Sequence, residues 1–123
     1  MAVTIAEPGV QGNLGSGVGT FERGGTVFDS HALATSASDL VMYPFRNFSG
    51  GFGVYSANVT LTWYVMMPGE TTPCAAYDAD VAAVSQVTGA AERAVAIPPS
   101  LFGAAYIGAV ASGSCNATIF LKK

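Results

Sequence analysis

From Tyr55 onward the apolar residues fall on alternate positions. Tyr55, Ala57, Val59, Leu61, Trp63, Val65 and Met67 share one side; Ser56, Asn58, Thr60, Thr62 and Tyr64 share the other. A two-residue period belongs to a strand with one face in a core and the other face wetter. The whole stretch from Phe52 to Met67 is rich in β-branched and aromatic residues, follows Gly50-Gly51 and stops at Pro68-Gly69. It predicts one strand much longer than the usual ~5–6 residues, whose register the neighbouring strands must match. Val59, Leu61, Trp63 and Val65 are the expected core residues.

Weaker patterns surround this stretch. Thr20 to Asp29 reads as a strand, a Gly24-Gly25 turn and a short second strand, Thr26 to Asp29. His31 to Ser38 is small and polar, hence a loop, and Asp39 to Phe45 is a strand that Pro44 ends at an edge or a bulge. Ala75 to Val87 alternates again, with Ala75, Tyr77, Ala79, Val81 and Ala83 facing one way and Asp78 and Asp80 the other, as in an antiparallel neighbour of the long strand. Ala91, Val95 and Ile97 form a further short element, with Glu92 and Arg93 exposed. Leu101 to Ala111 is a buried strand or a short helix; Gly103 and Gly108 argue against the helix. Cys115, Ala117, Ile119 and Leu121 mark a last strand. About eight strands, short turns and no helical period predict an all-β fold: one antiparallel β-sandwich of jelly-roll type over residues 20–123. Residues 1–19 are too glycine-rich to build a core of their own and read as an extended N-terminal arm. Its apolar residues, among them Val3, Ile5, Val10 and Leu14, are expected to dock on a partner, with Val3 and Ile5 adding a strand to an exposed sheet edge.

Charge changes this picture. Only 11% of the 123 residues are charged, against roughly 25% in a typical soluble domain. None lies between Arg46 and Glu70, or between Arg93 and Lys122. Contact with other protein accounts for such a surface; a monomer wetted by Ser, Thr and Gly is the plainer alternative. A net charge of −3 without a Lys/Arg cluster argues against nucleic acid as a partner. Leu101 to Ala111, the longest apolar run without alternation, is short of the ~20 residues a membrane helix needs. The first residues show neither a basic nor an apolar leader segment, so synthesis and assembly in a cytoplasm are expected. In a reducing compartment Cys74 and Cys115 are expected as buried free thiols, though a disulfide between them is not excluded by spacing.

No constellation carries obvious chemistry. His31 is the sole histidine and reads as a surface loop residue. Asp78 and Asp80 share a strand face, as solubilising carboxylates usually do; a glycosidase pair or a Ca²⁺ site would need a cleft or further oxygen ligands. The segment Gly12 to Gly19 lacks the Lys-Ser/Thr of a phosphate-binding loop. Asn47, Asn58 and Asn116 each begin an Asn-X-Ser/Thr triplet, as chance provides in a Thr-rich β protein. Trp63 lies on the apolar side of its strand, which favours packing over sugar stacking. No catalytic residue, cofactor or metal is expected.

Gly50-Gly51, then Val59-Thr60-Leu61-Thr62-Trp63, then the Ala-rich stretch from Ala75 to Val84 form a block that resembles the small jelly-roll virion proteins of tailed bacteriophages. These serve as capsid decoration or cement proteins and in related fibre-head domains. The chain departs from that pattern in its glycine-rich arm and its short extent after Val87. The resemblance implies a non-enzymatic structural protein, commonly a homotrimer, that binds itself and a major capsid protein on the capsid surface and stabilises the shell. A carbohydrate-binding jelly roll of a phage fibre or cell surface, using exposed Tyr and Asp residues, is the alternative.

Overall fold

The computed structural model describes residues 4–6, 25–46, 48–89 and 93–122. Val3, Val10, Leu14, the turn expected at Gly24 and the exposure expected of Glu92 lie outside the described residues. Among those described, the chain forms ten strands: β1 (Thr4–Ile5), β2 (Gly25–Ala32), β3 (Val41–Pro44), β4 (Gly50–Tyr55), β5 (Thr60–Met66), β6 (Cys74–Ala75), β7 (Ser85–Val87), β8 (Ala94–Ala96), β9 (Tyr106–Ala111) and β10 (Asn116–Lys122). Two single 3₁₀ turns, Ala37–Asp39 and Pro99–Leu101, are the only helical segments there, and no helix is long and apolar enough to cross a membrane.

One sheet runs β2-β10-β4-β8, and the other runs β1-β3-β9-β5, with β6 and β7 both paired to β5 at its far edge. Leaving aside the two-residue strands β1 and β6, consecutive strands alternate or cross so that the sheets read 2-10-4-8 and 3-9-5-7. That is the jelly roll of two interleaved Greek keys. All pairs are antiparallel except β1 with β3. The inner faces meet around Phe28, Tyr43, Phe45, Tyr55, Leu61, Trp63, Ile107, Ile119 and Leu121. Val59, Leu61 and Trp63 are buried in this core and Val65 packs against it half-buried.

The long central strand of the sequence is two strands. β4 lies in one sheet and β5 in the other, joined by a corner at Ser56–Val59. Ser56 holds one side of the corner: its N–H donates to the Asn116 carbonyl (2.9 Å) and its hydroxyl accepts from the Asn116 N–H (2.8 Å). Buried Thr88 holds the other, donating to the Ala57 carbonyl (2.7 Å) and accepting from the Val59 N–H (3.0 Å). The alternation passes through the corner in phase because both sheets turn their inner faces to one core. It ends at Val65; Met67 lies beyond the strand and is exposed.

Other elements also depart from expectation. Leu101 to Ala111 is neither one strand nor a helix, but the end of a 3₁₀ turn followed by β9. Ala75 to Val87 is not continuous: β6 and β7 flank a tight loop in which Tyr77 and Val81 are exposed while Ala76 and Val84 are buried. No single alternating face therefore runs through this stretch. Asn58 sits at the corner instead of inside a strand. Cys74 is exposed on β6 and only Cys115 is buried; both are free thiols.

Candidate assembly surfaces

Cross-strand partners share a face, so the registers assign each residue to the core or the exterior. On β3, β9, β5 and β7 the outward positions hold Met42 and Pro44; Tyr106, Gly108 and Val110; Thr60, Thr62, Tyr64 and Met66; Ser85 and Val87. None is charged. An outer face of an antiparallel sandwich normally alternates to polar residues. Here it supports a second apolar cluster instead: Leu40, Met42 and Met66 are buried, and Tyr64, Tyr106 and Val110 pack against them half-exposed. Gly108 makes room for Met42, since a Cβ there would stand 2.7 Å from the Val41 carbonyl oxygen.

Ile5, expected at a partner's sheet edge, is found on the chain's own. Thr4 and Ile5 run parallel to Val41 and Met42, the Thr4 N–H donating to the Leu40 carbonyl (3.0 Å) and the Ala6 N–H to the Met42 carbonyl (2.8 Å). Ile5 remains 44% exposed, so the apolar face extends to this edge.

The second sheet carries a smaller apolar feature. Phe52 on β4 is paired with Phe120 on β10, and both point outward. Beside them a cleft of about 330 Å³ is lined by Ser49, Gly50, Gly51, Phe52, Phe120 and Lys122. Phe52 is half-exposed and Lys122 is exposed at the rim.

A third feature lies between β1 and β2, the outermost described strands on one side of the two sheets. Opposite Thr118, β2 bulges at Asp29 and Ser30, the register passing from Phe28 with Ile119 to His31 with Ala117. The extra residue turns His31 inward, which plain alternation would have pointed outward. The loop placement expected for His31 is therefore corrected: it is a strand residue. Its Nδ1 lies 2.6 Å from the Asp29 carbonyl oxygen, to which it donates, and its Nε2 is hydrogen-bonded to the Tyr43 hydroxyl. Burial, with Tyr55 nearby, holds the Tyr43 phenol far above the usual tyrosine range, so it stays a donor. A groove of about 590 Å³ between the two edges is lined by Thr4, Ile5, Ala6, Phe28, Asp29, His31, Ala32 and Val41. With both ring nitrogens engaged, His31 closes the edge of the core rather than offering a free base to the groove.

Protein-family models, curated proteins and solved structures were compared with the chain, and none matches. The surfaces must therefore be read from their chemistry. Among the described residues no three His, Cys, Asp or Glu side chains cluster as a metal site would require. Asp78 and Asp80 do not form a carboxylate pair: Asp78 Oδ1 accepts from the Asp80 and Ala82 N–H groups (both 2.9 Å) and shapes the loop between β6 and β7. Trp63 Nε1 donates to Gln86 Oε1 (3.2 Å), and Gln86 Nε2 to the Ala96 carbonyl (3.2 Å), which ties the two sheets together on that side. Sequence patterning found the buried Val59, Leu61 and Trp63 and missed the outer faces. Their one signal was the lack of charge from Arg46 to Glu70 and from Arg93 to Lys122.

Proposed function

We propose that this jelly roll is a non-enzymatic structural protein that oligomerises and docks on a larger protein shell, as a capsid decoration or cement protein does. The uncharged outer face of the β3-β9-β5 sheet carries the reading. Tyr64, Tyr106 and Val110 already pack over Leu40, Met42 and Met66, and further apolar cover from a partner would complete that cluster. The resemblance of the Gly50 to Val84 block to phage virion proteins supplies the shell as the partner and the homotrimer as the assembly. Docking of this kind needs no cofactor and no catalytic group.

A carbohydrate-binding role has one observation in its favour, the exposed ring of Tyr77 close in sequence to the exposed carboxylate of Asp80.

Val110→Lys tests the main reading by placing a charge on the outer face, away from the core between the sheets. The variant should melt close to the parent and keep its association in sedimentation at micromolar concentration, yet lose retention on phage capsids stripped of decoration. A parent protein that sediments as a monomer, ignores capsids and binds a glycan array reverses the reading.

A further inference from the structure

The loop between β6 and β7 is built as a rigid projection. Its two ends are fixed to one residue of β5: the Ala76 N–H donates to the Trp63 carbonyl and the Trp63 N–H to the Val84 carbonyl (both 3.0 Å). Within it, the Val84 N–H donates to the Ala76 carbonyl and the Asp78 N–H to the Ala82 carbonyl (both 2.9 Å), while Tyr77 bridges to Ala83. The Asp78 carboxylate braces the tip. At that tip Val81 has φ +60° and is 78% exposed, and Tyr77 is 58% exposed. A β-branched residue is strained in the left-handed region, where Gly or Asn would sit freely. In a single chain this valine contributes nothing that offsets the strain, because its side chain is in water. The hydrogen bonds of the Asp78 turn hold the backbone of Val81 in place, while its side chain is left exposed.

We propose that this loop inserts into the cleft beside Phe52 on a second copy of the chain. The two surfaces match in chemistry. Val81 and Tyr77 are apolar and flanked by exposed Asp80; the cleft has an apolar wall of Phe52 and Phe120 and a rim cation, Lys122. Gly50, paired with Lys122 on the outward side, leaves its floor without a side chain, and Gly51 cannot gain one because a Cβ would run into the Phe120 carbonyl. Phe52 and Val81 are both exposed, so neither covers the other within one chain. Knob and cleft are different patches, so the contact is heterologous and generates a closed ring, such as a trimer, where the rotation closes. This rests on the assembly reading above and names the contact between copies, leaving the outer face of the β3-β9-β5 sheet for the shell.

Sedimentation of the full chain over a concentration series tests the contact, with thermal melting as a separate check of folding. Val81→Gly relieves the strain, so the variant should melt at or above the parent temperature while associating about tenfold or more weakly, the scale of losing a central anchor. Asp80→Lys and Lys122→Glu should each weaken association, and the two together should restore it. Association unchanged by Val81→Gly, or charge reversals that fail to restore one another, overturns the contact. If Val110→Lys then abolishes association, the sheet face joins the copies and the assembly reading stands without this loop. A parent chain that is monomeric at every concentration also overturns the contact, and retention on stripped capsids then decides the assembly reading by itself.

Discussion

Among the described residues, two apolar clusters differ in how they are closed. The main core is covered on both sides by sheets of the same chain, and Leu61, Tyr43 and Ile107 have no exposed surface. The second cluster, on the outer face, has a sheet beneath it and side chains around it, but Tyr64, Tyr106 and Val110 at its rim remain half-exposed. The first defines a fold that a single chain can complete. The second is apolar surface that a single chain leaves partly wet, although patterning for solubility would place charge there. Apolar content alone therefore says little about function; which side of the sheet it lies on says more.

Substitution at matching depths in the two clusters should separate them. Trp63→Ala removes a fully buried indole and strands Gln86, and should cost about 3–5 kcal/mol in a denaturant titration. Met42→Ala should cost about 2–3 kcal/mol, towards the lower end for buried methionine, because its surroundings can collapse towards the open rim. Equal costs would mean that the outer cluster is as closed as the core.

Alkali probes the core. Burial raises the phenols of Tyr43 and Tyr55 well above the unfolded value near 10. Between that value and the raised one, the unfolded chain loses these protons while the folded chain keeps them. Stability must therefore fall as pH rises above about 10, by about 1.4 kcal/mol per tyrosine per pH unit. Tyrosinate absorbance from these two residues should appear together with loss of structure. Tyr55→Phe should flatten the slope. It should also raise stability at neutral pH by about 1 kcal/mol, because the Tyr55 hydroxyl is buried without a hydrogen-bond partner among the described residues. A less stable Tyr55→Phe variant would show that the hydroxyl has a partner.

The smallest effect concerns the thiols. Cys74 should react with a thiol probe in the native protein and Cys115 only on unfolding, with no reductant required for either. A disulfide found in protein prepared without oxidant would contradict both assignments.

The sequence showed the all-β class, the jelly-roll type and the inward residues Val59 to Trp63, because a buried face imposes a two-residue period that survives any topology. The same period concealed the corner at Ser56–Val59: two strands from opposite sheets facing one core alternate in phase, as one strand would. The bulge at Asp29 and Ser30 leaves no mark on composition, so His31 read as a loop residue. Between β6 and β7 the alternation of small residues suggested a strand, yet an Asp such as Asp78 can accept from the backbone N–H two residues on, as an Asx turn does, and that signal was available. The outer surfaces were legible only as missing charge, since the sequence does not say which of two sheet faces an uncharged residue occupies.

The position of β10 has a consequence for how the protein is made. It lies between β2 and β4, and only β8 pairs with β4 on the other side. As synthesis proceeds from the N-terminal end, β2 and β4 leave the ribosome before the strand that joins them, and that sheet stays in two parts until Asn116 to Lys122 emerge. Folding then requires closure of a long loop, a step that makes sandwiches of this kind slow. During that interval the outward Phe52 and the strand edges are open to neighbouring nascent chains. Low temperature or a chaperone that shields these edges should therefore raise the yield of soluble protein, whereas a stronger core acts only after the last strand has arrived.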